Sequence, residues 1–467
     1  MRSIVFIVVD TLRADHLGCY GYHRSTSPFL DTLAEQSSVL DACYSTSNFT
    51  APAFTSLFTS TYPYYHGNFF FNKQIANSPI KECLDAHRFD THAIVTFGFF
   101  KNLLSRIWGG LEVVTETRSF DFSKELTGAV SDGAIEWLER WDGDRPFCLF
   151  LHYRGGHAPY RLPAEYETLF DSTDPDDIDQ EIVEVFFPQH IERPKPKKKG
   201  ERTFPRKHQL VNAMNTGRRK VNKATRQWII DKYDASIKCT DDNVARVFES
   251  LKSHDRYRDT IFAVFSDHGE ELWDHGQFGH ADVHLYEEVI RTVGIIHDPL
   301  RTEAVRKAEP ISHIQVMPSL MRLAGVRALP KQLVSFDFTT DMERKSSIDQ
   351  PNLVFCIGPH KAAVRQGNLK LIEASPCHYL SKVKRLRSVL RILWMGELRR
   401  ELYDLGIDPR EKDNLANQST QLRPLSSLLK QHIRVTKRRS DILDSGFKLS
   451  AAEQEKLEEE LRSLGYL

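Results

Sequence analysis

The stretch RSIVFIVVDTLRADHLGCYGY (Arg2–Tyr22) carries six consecutive apolar residues, Ile4 to Val9, and then stops on an acid, Asp10. An unbroken run of that length is what a strand buried on both faces of a parallel sheet looks like. Runs of the same kind recur at THAIVTF (91–97), PFCLFLHY (146–153) and TIFAVFSDHG (260–269). Helical patterns fill the intervals, in SPFLDTLAEQSS (27–38), AVSDGAIEWLERW (129–141) and QWIIDKYDASIKCTDDNVARVFESLKSH (227–254). Strand alternating with helix predicts an α/β fold, with a central, mainly parallel sheet between helices. Sheets of that kind bind ligands at the carboxyl ends of their strands. Asp10 and the pair Asp267-His268 both fall there, each directly after an apolar run.

The chain has 467 residues, too many for one small core, and predicts a large α/β unit with a smaller one beside it. Lys and Arg number 63 and so do Asp and Glu, which argues against a nucleic-acid partner and for no particular lipid charge. The apolar run at Ile4–Val9 is far short of the ~20 residues that span a bilayer. It also lacks the layout of a signal peptide, so with Met1 as the start the expected location is the cytoplasm. Seven scattered cysteines, an odd number without a CxxC pair, agree with a reducing compartment.

Between about 171 and 225 the alternation breaks. An acidic block, DSTDPDDIDQE, is followed by a basic one, ERPKPKKKGERTFPRKH, and the pattern predicts a solvated charged insertion or lid. From about 346 to the end, short strands joined by turns predict a smaller C-terminal α+β unit, leaving 1–345 as the larger domain. Within it, SKVKRLRSVLRILWMGELRR (381–400) interleaves basic and apolar residues. That stripe suits either a helix packed on a sheet or peripheral contact with an anionic membrane.

Asp10, Asp267 and His268 offer two carboxylates and an imidazole from two strand ends, a donor set that suits a divalent cation. A second feature bears on the same place. NFTAPAFTSLFTS (48–60) reads as the start of a helix, with Thr50 as N-cap, Pro52 in the first turn, and Phe54, Leu57 and Phe58 facing a core. Thr50 has a second reading. A hydroxyl held against a cation has its pKa lowered and becomes a usable nucleophile, and the helix N-terminus suits an anionic substrate.

At this point the chain resembles the sulfatase-like branch of the alkaline phosphatase superfamily. FIVVDTLRADHLGCYGYHRSTSPFLDTLAEQS is similar to that family's opening strand and helix, and NFTAPAFTSLFTSTYPYYHG to its nucleophile segment. FLHYRGGHAPYRLPAEY, YDASIKCTDDNVARV, FSDHGEELWDHGQFGHADVHLYEEVIR and ELYDLGIDPREKDNLA complete the set in order. The resemblance implies an alkaline-phosphatase-like fold, with a small C-terminal domain on an antiparallel sheet. It implies Asp10, Thr50, Asp267 and His268 as metal ligands, Thr50 as nucleophile, and His157 and His280 as contacts for the anion or the leaving group. Arg13 stands as an anion contact or as a structural ion pair. His275 and His284 are close enough in sequence to suggest a second metal.

The departures from the family pattern are informative. Sulfatases that mature a formylglycine carry C-x-P-x-R, whereas this chain has Thr50-Ala51-Pro52-Ala53-Phe54. Thr11 replaces the second acid of the usual Asp-Asp pair, and Asp-His stands for the usual Asp-Asn. Fewer acids and an imidazole shift the expected ion from calcium towards manganese, zinc or magnesium. A threonine nucleophile is similar to that of the superfamily's phosphodiesterases, phosphonate hydrolases and phosphoglycerol or phosphoethanolamine transferases. The expectation is a metal-dependent hydrolase of sulfate or phosphate esters, phosphoester chemistry favoured, on a small-molecule, glycan or lipid-headgroup substrate. The alternatives are a transferase of the same type and a non-catalytic sulfatase-like binding protein.

Overall fold

The computed structural model describes residues 1–69, 78–96, 104, 108, 110–114, 127–187, 205–253, 256–280, 284–301, 303–330, 353–358, 360–375 and 400–445. These form an eight-stranded sheet from β1 (Ser3–Val9), β2 (Ser38–Leu40), β3 (Asp90–Val95), β4 (Gly110–Val113), β5 (Phe147–Tyr153), β6 (Thr260–Ser266), β7 (Gly294–His297) and β8 (Val305–Lys307). Its order is β8-β2-β7-β6-β1-β5-β3-β4. Only β7 runs antiparallel to its neighbours, β2 and β6, and the other pairings are parallel.

Every residue of β1 is buried, as the unbroken apolar run demands. Its side chains alternate between two core layers. Ile4, Phe6 and Val8 join the layer that contains α2 (Thr50–Thr59), whereas Val5, Ile7 and Val9 join the layer under α3 (Thr127–Arg140) and α6 (Lys223–Ser253). Each such residue contributes about 1.5–3 kcal/mol of burial, which makes the central strands the rigid base of everything at their ends. The parallel register sets Val9 against Ser266, so Asp10 and Asp267 emerge side by side. On the other flank Val8 is level with His152.

Helix α2 is buried along its whole length, which is costly for a segment so rich in threonine. The hydroxyls of Thr55 and Thr59 offset that cost by donating to the carbonyls of Ala51 and Thr55, at 2.7 Å each. Helix α1 (Pro28–Ala34) takes its first-turn partner from α6, where the Asp241 carboxylate accepts from the amides of Phe29 and Leu30 at 2.9 Å.

The smaller unit is a four-stranded antiparallel sheet of β9 (Leu353–Ile357), β10 (Lys361–Gln366), β11 (Leu369–Ala374) and β12 (Glu401–Asp404). Helix α7 (Leu422–Ser445) packs on it through Leu425, Leu429 and Val435. The sheet is tied to the segment that leads into α2. The Ile357 amide donates to the Thr46 carbonyl, and Ser47 Oγ donates to the Ile357 carbonyl, both at 2.8 Å.

In the described flanks of the 171–225 segment the acidic block is mostly exposed, while Ile182, Phe186, Phe187, Met214 and Val221 are buried in the α6-side layer. Helices α4 (Gln180–Phe186) and α5 (Pro205–Asn215) lie there, and Asn215 exchanges two hydrogen bonds with the backbone of Phe278, at 2.8 and 2.9 Å. The basic run at 188–204 and the stripe at 381–400 (apart from Arg400) lie outside the described residues. Among the described residues, no helix is long and apolar enough to cross a membrane, and six cysteines are free thiols.

Candidate metal and nucleophile site

The turn after β1 is strained where it carries the first acid. Thr11, a β-branched residue, sits in the left-handed region at φ 55°, a conformation that costs of order 1–3 kcal/mol. Three contacts hold it there. The Thr11 amide donates to Asp267 Oδ1 at 3.1 Å, and the buried Tyr233 hydroxyl donates to the Thr11 carbonyl at 2.8 Å. The same hydroxyl accepts from the Arg13 amide at 2.9 Å. The backbone thus fixes Asp10 against Asp267 before any ligand is considered.

Asp10, Asp267 and His268 are fully buried, and each offers one donor atom within 4.8 Å of the others. Asp267 Oδ1 accepts from the amides of Thr11 and His268, which leaves Oδ2 aimed at His268 Nε2, 3.3 Å away. His268 Nδ1–H donates to the Gly269 carbonyl at 2.8 Å, so Nε2 carries the lone pair. Burial is the main reason that the imidazole stays neutral, its pKa held well below the usual value. Burial likewise lifts the Asp267 carboxyl to about 7, partly countered by the Thr11 and His268 amides. Thr50 Oγ1 stands 3.2 Å from His268 Nε2 and donates to it.

The donors suit a divalent cation. They comprise two carboxylates, a neutral imidazole with its lone pair turned inward, and a hydroxyl. Asp267 Oδ2 is buried and has no hydrogen bond among the described residues, which leaves it available to an ion.

Thr50 differs from the capping expectation. The N-cap of α2 is Phe49, and Thr50 is the first helical residue. Its side chain turns away from the helix backbone to His268. Phe54, in contrast, does what an apolar helix position should: its ring packs on Phe58, Phe150 and His152.

Two further imidazoles line up with this group. The His280 ring centre is 4.5 Å from that of His268, and His157 is 5.4 Å beyond. His280 Nδ1 is paired with Glu270 Oε1 at 3.0 Å, and its carbonyl accepts from Asn48 Nδ2 at 2.9 Å. Arg13 is placed as the structural ion pair: its guanidinium, 3% exposed, binds Asp15 at 2.7 Å and Asp274 at 2.6 Å. His275 and His284 do not gather a second metal group among the described residues. His275 pairs with Glu288 at 2.5 Å, and His284 lies 3.1 Å from Lys361.

Residues that sequence reasoning missed are Glu270, Asn48, His152 and Thr96. Glu270 reads as one more acid in an acidic turn. His152 reads as a lone imidazole ending an apolar strand, yet its Nε2 faces Asp10 Oδ2 at 4.0 Å.

Residues 2–326 match the family model described as Sulfatase, well over half of the chain, and the chain belongs to the sulfatase family. It is 24% identical over 351 residues to an arylsulfatase of Clostridium perfringens, covering 74% of this chain and 63% of that protein. The chain therefore spans less than two thirds of that relative. A solved structure of a protein in complex with its substrate D-glucosamine-2-N,6-O-disulfate superposes with a TM-score of 0.71 at 18% identity, covering 94% of this chain and 98% of that one. The phosphonate monoester hydrolase of Agrobacterium radiobacter gives 0.68 at 15% identity, covering 94% and 96%. At such identities the structures establish the alkaline-phosphatase-like fold, with its large, mostly parallel sheet and separate small antiparallel sheet.

Proposed function

We propose that the chain is a metal-dependent ester hydrolase whose nucleophile is the unmodified Thr50, and that phosphorus esters are its substrates in preference to sulfate esters. The observation that carries this reading is the position of Thr50 Oγ1, at the first turn of α2 and 3.2 Å from His268 Nε2, beside Asp10 and Asp267. An ion held by Asp10, Asp267, His268 and Thr50 would lower the pKa of the hydroxyl and neutralise charge on the substrate's oxygens.

Thr50, its proton lost to solvent, forms the new O–P bond in line with the ester oxygen that leaves. The N-terminus of α2 and His157 face the anionic oxygens. His280, oriented by Glu270, gives a proton from Nε2 to the departing alkoxide. Water then attacks the phosphothreonine, releases phosphate and restores the Thr50 hydroxyl. Formylglycine chemistry has no starting residue here, since Thr50 replaces the cysteine or serine and Phe54 replaces the arginine of the motif. The fold does not choose between sulfur and phosphorus, because its neighbours include a disulfated-sugar complex and a phosphonate monoester hydrolase. An unmodified threonine nucleophile favours phosphorus. A small-molecule, glycan or lipid-headgroup ester fits this chemistry, and residues 1–345 form the domain that performs it.

The test is a matched panel of p-nitrophenyl sulfate, phosphate and phenylphosphonate with bis-p-nitrophenyl phosphate, assayed with manganese, zinc, magnesium or calcium. Turnover of phosphorus esters with one bound ion per chain is the expected result. Sulfate turnover exceeding that of every phosphorus ester, or a purified protein that retains no divalent ion, would contradict it.

A further inference from the structure

His152 is the second-to-last residue of β5, one strand away from Asp10, and the reaction above does not use it. It is fully buried. Three contacts define its orientation. Thr96 Oγ1, from the residue after β3, lies 2.5 Å from Nδ1. The Phe54 ring meets the imidazole edge to face, with centres 5.2 Å apart at 70°. Nε2 points at Asp10 Oδ2, 4.0 Å away. That last distance is an electrostatic contact and not a hydrogen bond. Asp10 is consequently flanked on both oxygens, by His268 Nε2 at 4.0 Å from Oδ1 and by His152 on the other side.

The two flanking imidazoles differ in what their Nδ1 does. His268 Nδ1 donates to a carbonyl, which turns a lone pair inward. Thr96 Oγ1 lies 2.5 Å from Nδ1 and 3.5 Å from the His152 carbonyl. In the tautomer in which the shorter contact is a donation to Nδ1, Nε2 carries the hydrogen that faces the carboxylate. Phe54, at the position where formylglycine sulfatases carry an arginine, supplies the apolar wall that keeps the ring in place.

We propose that His152, pinned by Thr96 and backed by Phe54, is a positioning residue that orients the Asp10 carboxylate for the divalent ion. The inference rests on the proposed metal site and adds a relay, Thr96 to His152 to Asp10, that would hold Asp10 for the ion. Groups that hold a metal ligand from behind typically change metal affinity 10- to 100-fold when removed, an effect of about that size being expected here.

The experiment is titration of chelator-stripped, full-length protein with manganese or zinc by calorimetry, with near-ultraviolet circular dichroism to confirm folding. His152→Phe should weaken binding roughly 10- to 100-fold, Thr96→Val about tenfold, and Thr96→Ser, which restores the hydroxyl, should bind like the wild type. Undiminished affinity in folded His152→Phe and Thr96→Val proteins would overturn the relay while leaving the metal site intact. Equal losses in Thr96→Ser and Thr96→Val would also overturn it, since the hydroxyl would then not matter. A wild-type protein that binds neither ion overturns the relay and the metal site together.

Discussion

Two buried charged groups grow from the same two strand ends and behave in opposite ways. Arg13 and Asp274 lie a few residues beyond Asp10 and Asp267, on the same loops. Around Arg13 the charges are closed: its guanidinium binds Asp15 and Asp274 directly and donates to the Glu270 carbonyl. Burial alone would raise the Asp274 carboxyl, but Arg13 beside it holds it below the usual range. Seven residues earlier, Asp267 is fully buried where Asp274 is partly exposed, and it faces two backbone amides and a neutral imidazole in place of a guanidinium, so burial pushes it up to about 7. A carboxylate placed where its charge is unfavourable, next to a second carboxylate, is a candidate for binding a cation. The first cluster closes its charges with one another, whereas in the proposed function the second takes an ion.

Substitutions should separate the two clusters cleanly. The largest effect belongs to Thr50→Ala, which should keep the fold and its metal but lower turnover by about 10⁴-fold or more, as loss of a nucleophile does. Thr50→Ser should keep measurable turnover, and Thr50→Cys should not become an efficient sulfatase, because Phe54 still lacks a guanidinium. Next comes Asp267→Asn, where calorimetry should record a loss of ion affinity beyond the roughly 10- to 100-fold typical of outer contacts, with turnover falling in step. Full ion occupancy and activity in that variant would place the site elsewhere.

Arg13→Met should do the reverse. We expect a stability loss of roughly 2 kcal/mol in urea titration, below the 3–5 kcal/mol of a fully buried pair because Asp15 and Asp274 are partly exposed. Ion stoichiometry should not change. A raised KM with stability intact would instead make Arg13 a substrate contact. The smallest effect concerns Asp241, lifted by burial to about 7 despite the amides of Phe29 and Leu30. Its folded pKa exceeds the ordinary 3.8, so the folded state holds the proton more tightly between those values. That contribution is complete below about pH 4 and is lost as pH rises through about 7. Asp241→Asn should flatten the difference in urea midpoint between pH 5 and pH 8, and an unchanged difference would assign it to other groups.

The central strands and the strand-end acids were legible because burial on both faces forces a distinctive apolar run. Asp10 and Asp267-His268 stand out as the first charges after such runs. In the 171–225 segment the charge blocks hide the apolar spacing of Ile182, Phe186 and Phe187, whose burial comes from packing in the α6-side layer. Thr50 was visible as a helix start, but whether its hydroxyl caps the helix or turns to His268 depends on a residue 218 positions away. His152 and Glu270 were not legible at all. One imidazole in an apolar strand and one acid in an acidic turn carry no periodicity, and their meaning comes from what the sheet register sets beside them.

The central claim is that the oxygen of unmodified Thr50 attacks the substrate. Its most direct test is mass spectrometry of the peptide containing Thr50, taken from protein mixed with a phosphorus ester and quenched in acid during turnover. The account predicts unmodified threonine in the resting enzyme and a phosphoryl group on Thr50 in the quenched one, absent from Thr50→Ala. An oxidised residue at position 50, or sustained turnover by Thr50→Ala with its ion bound and no adduct in the wild type, would contradict it.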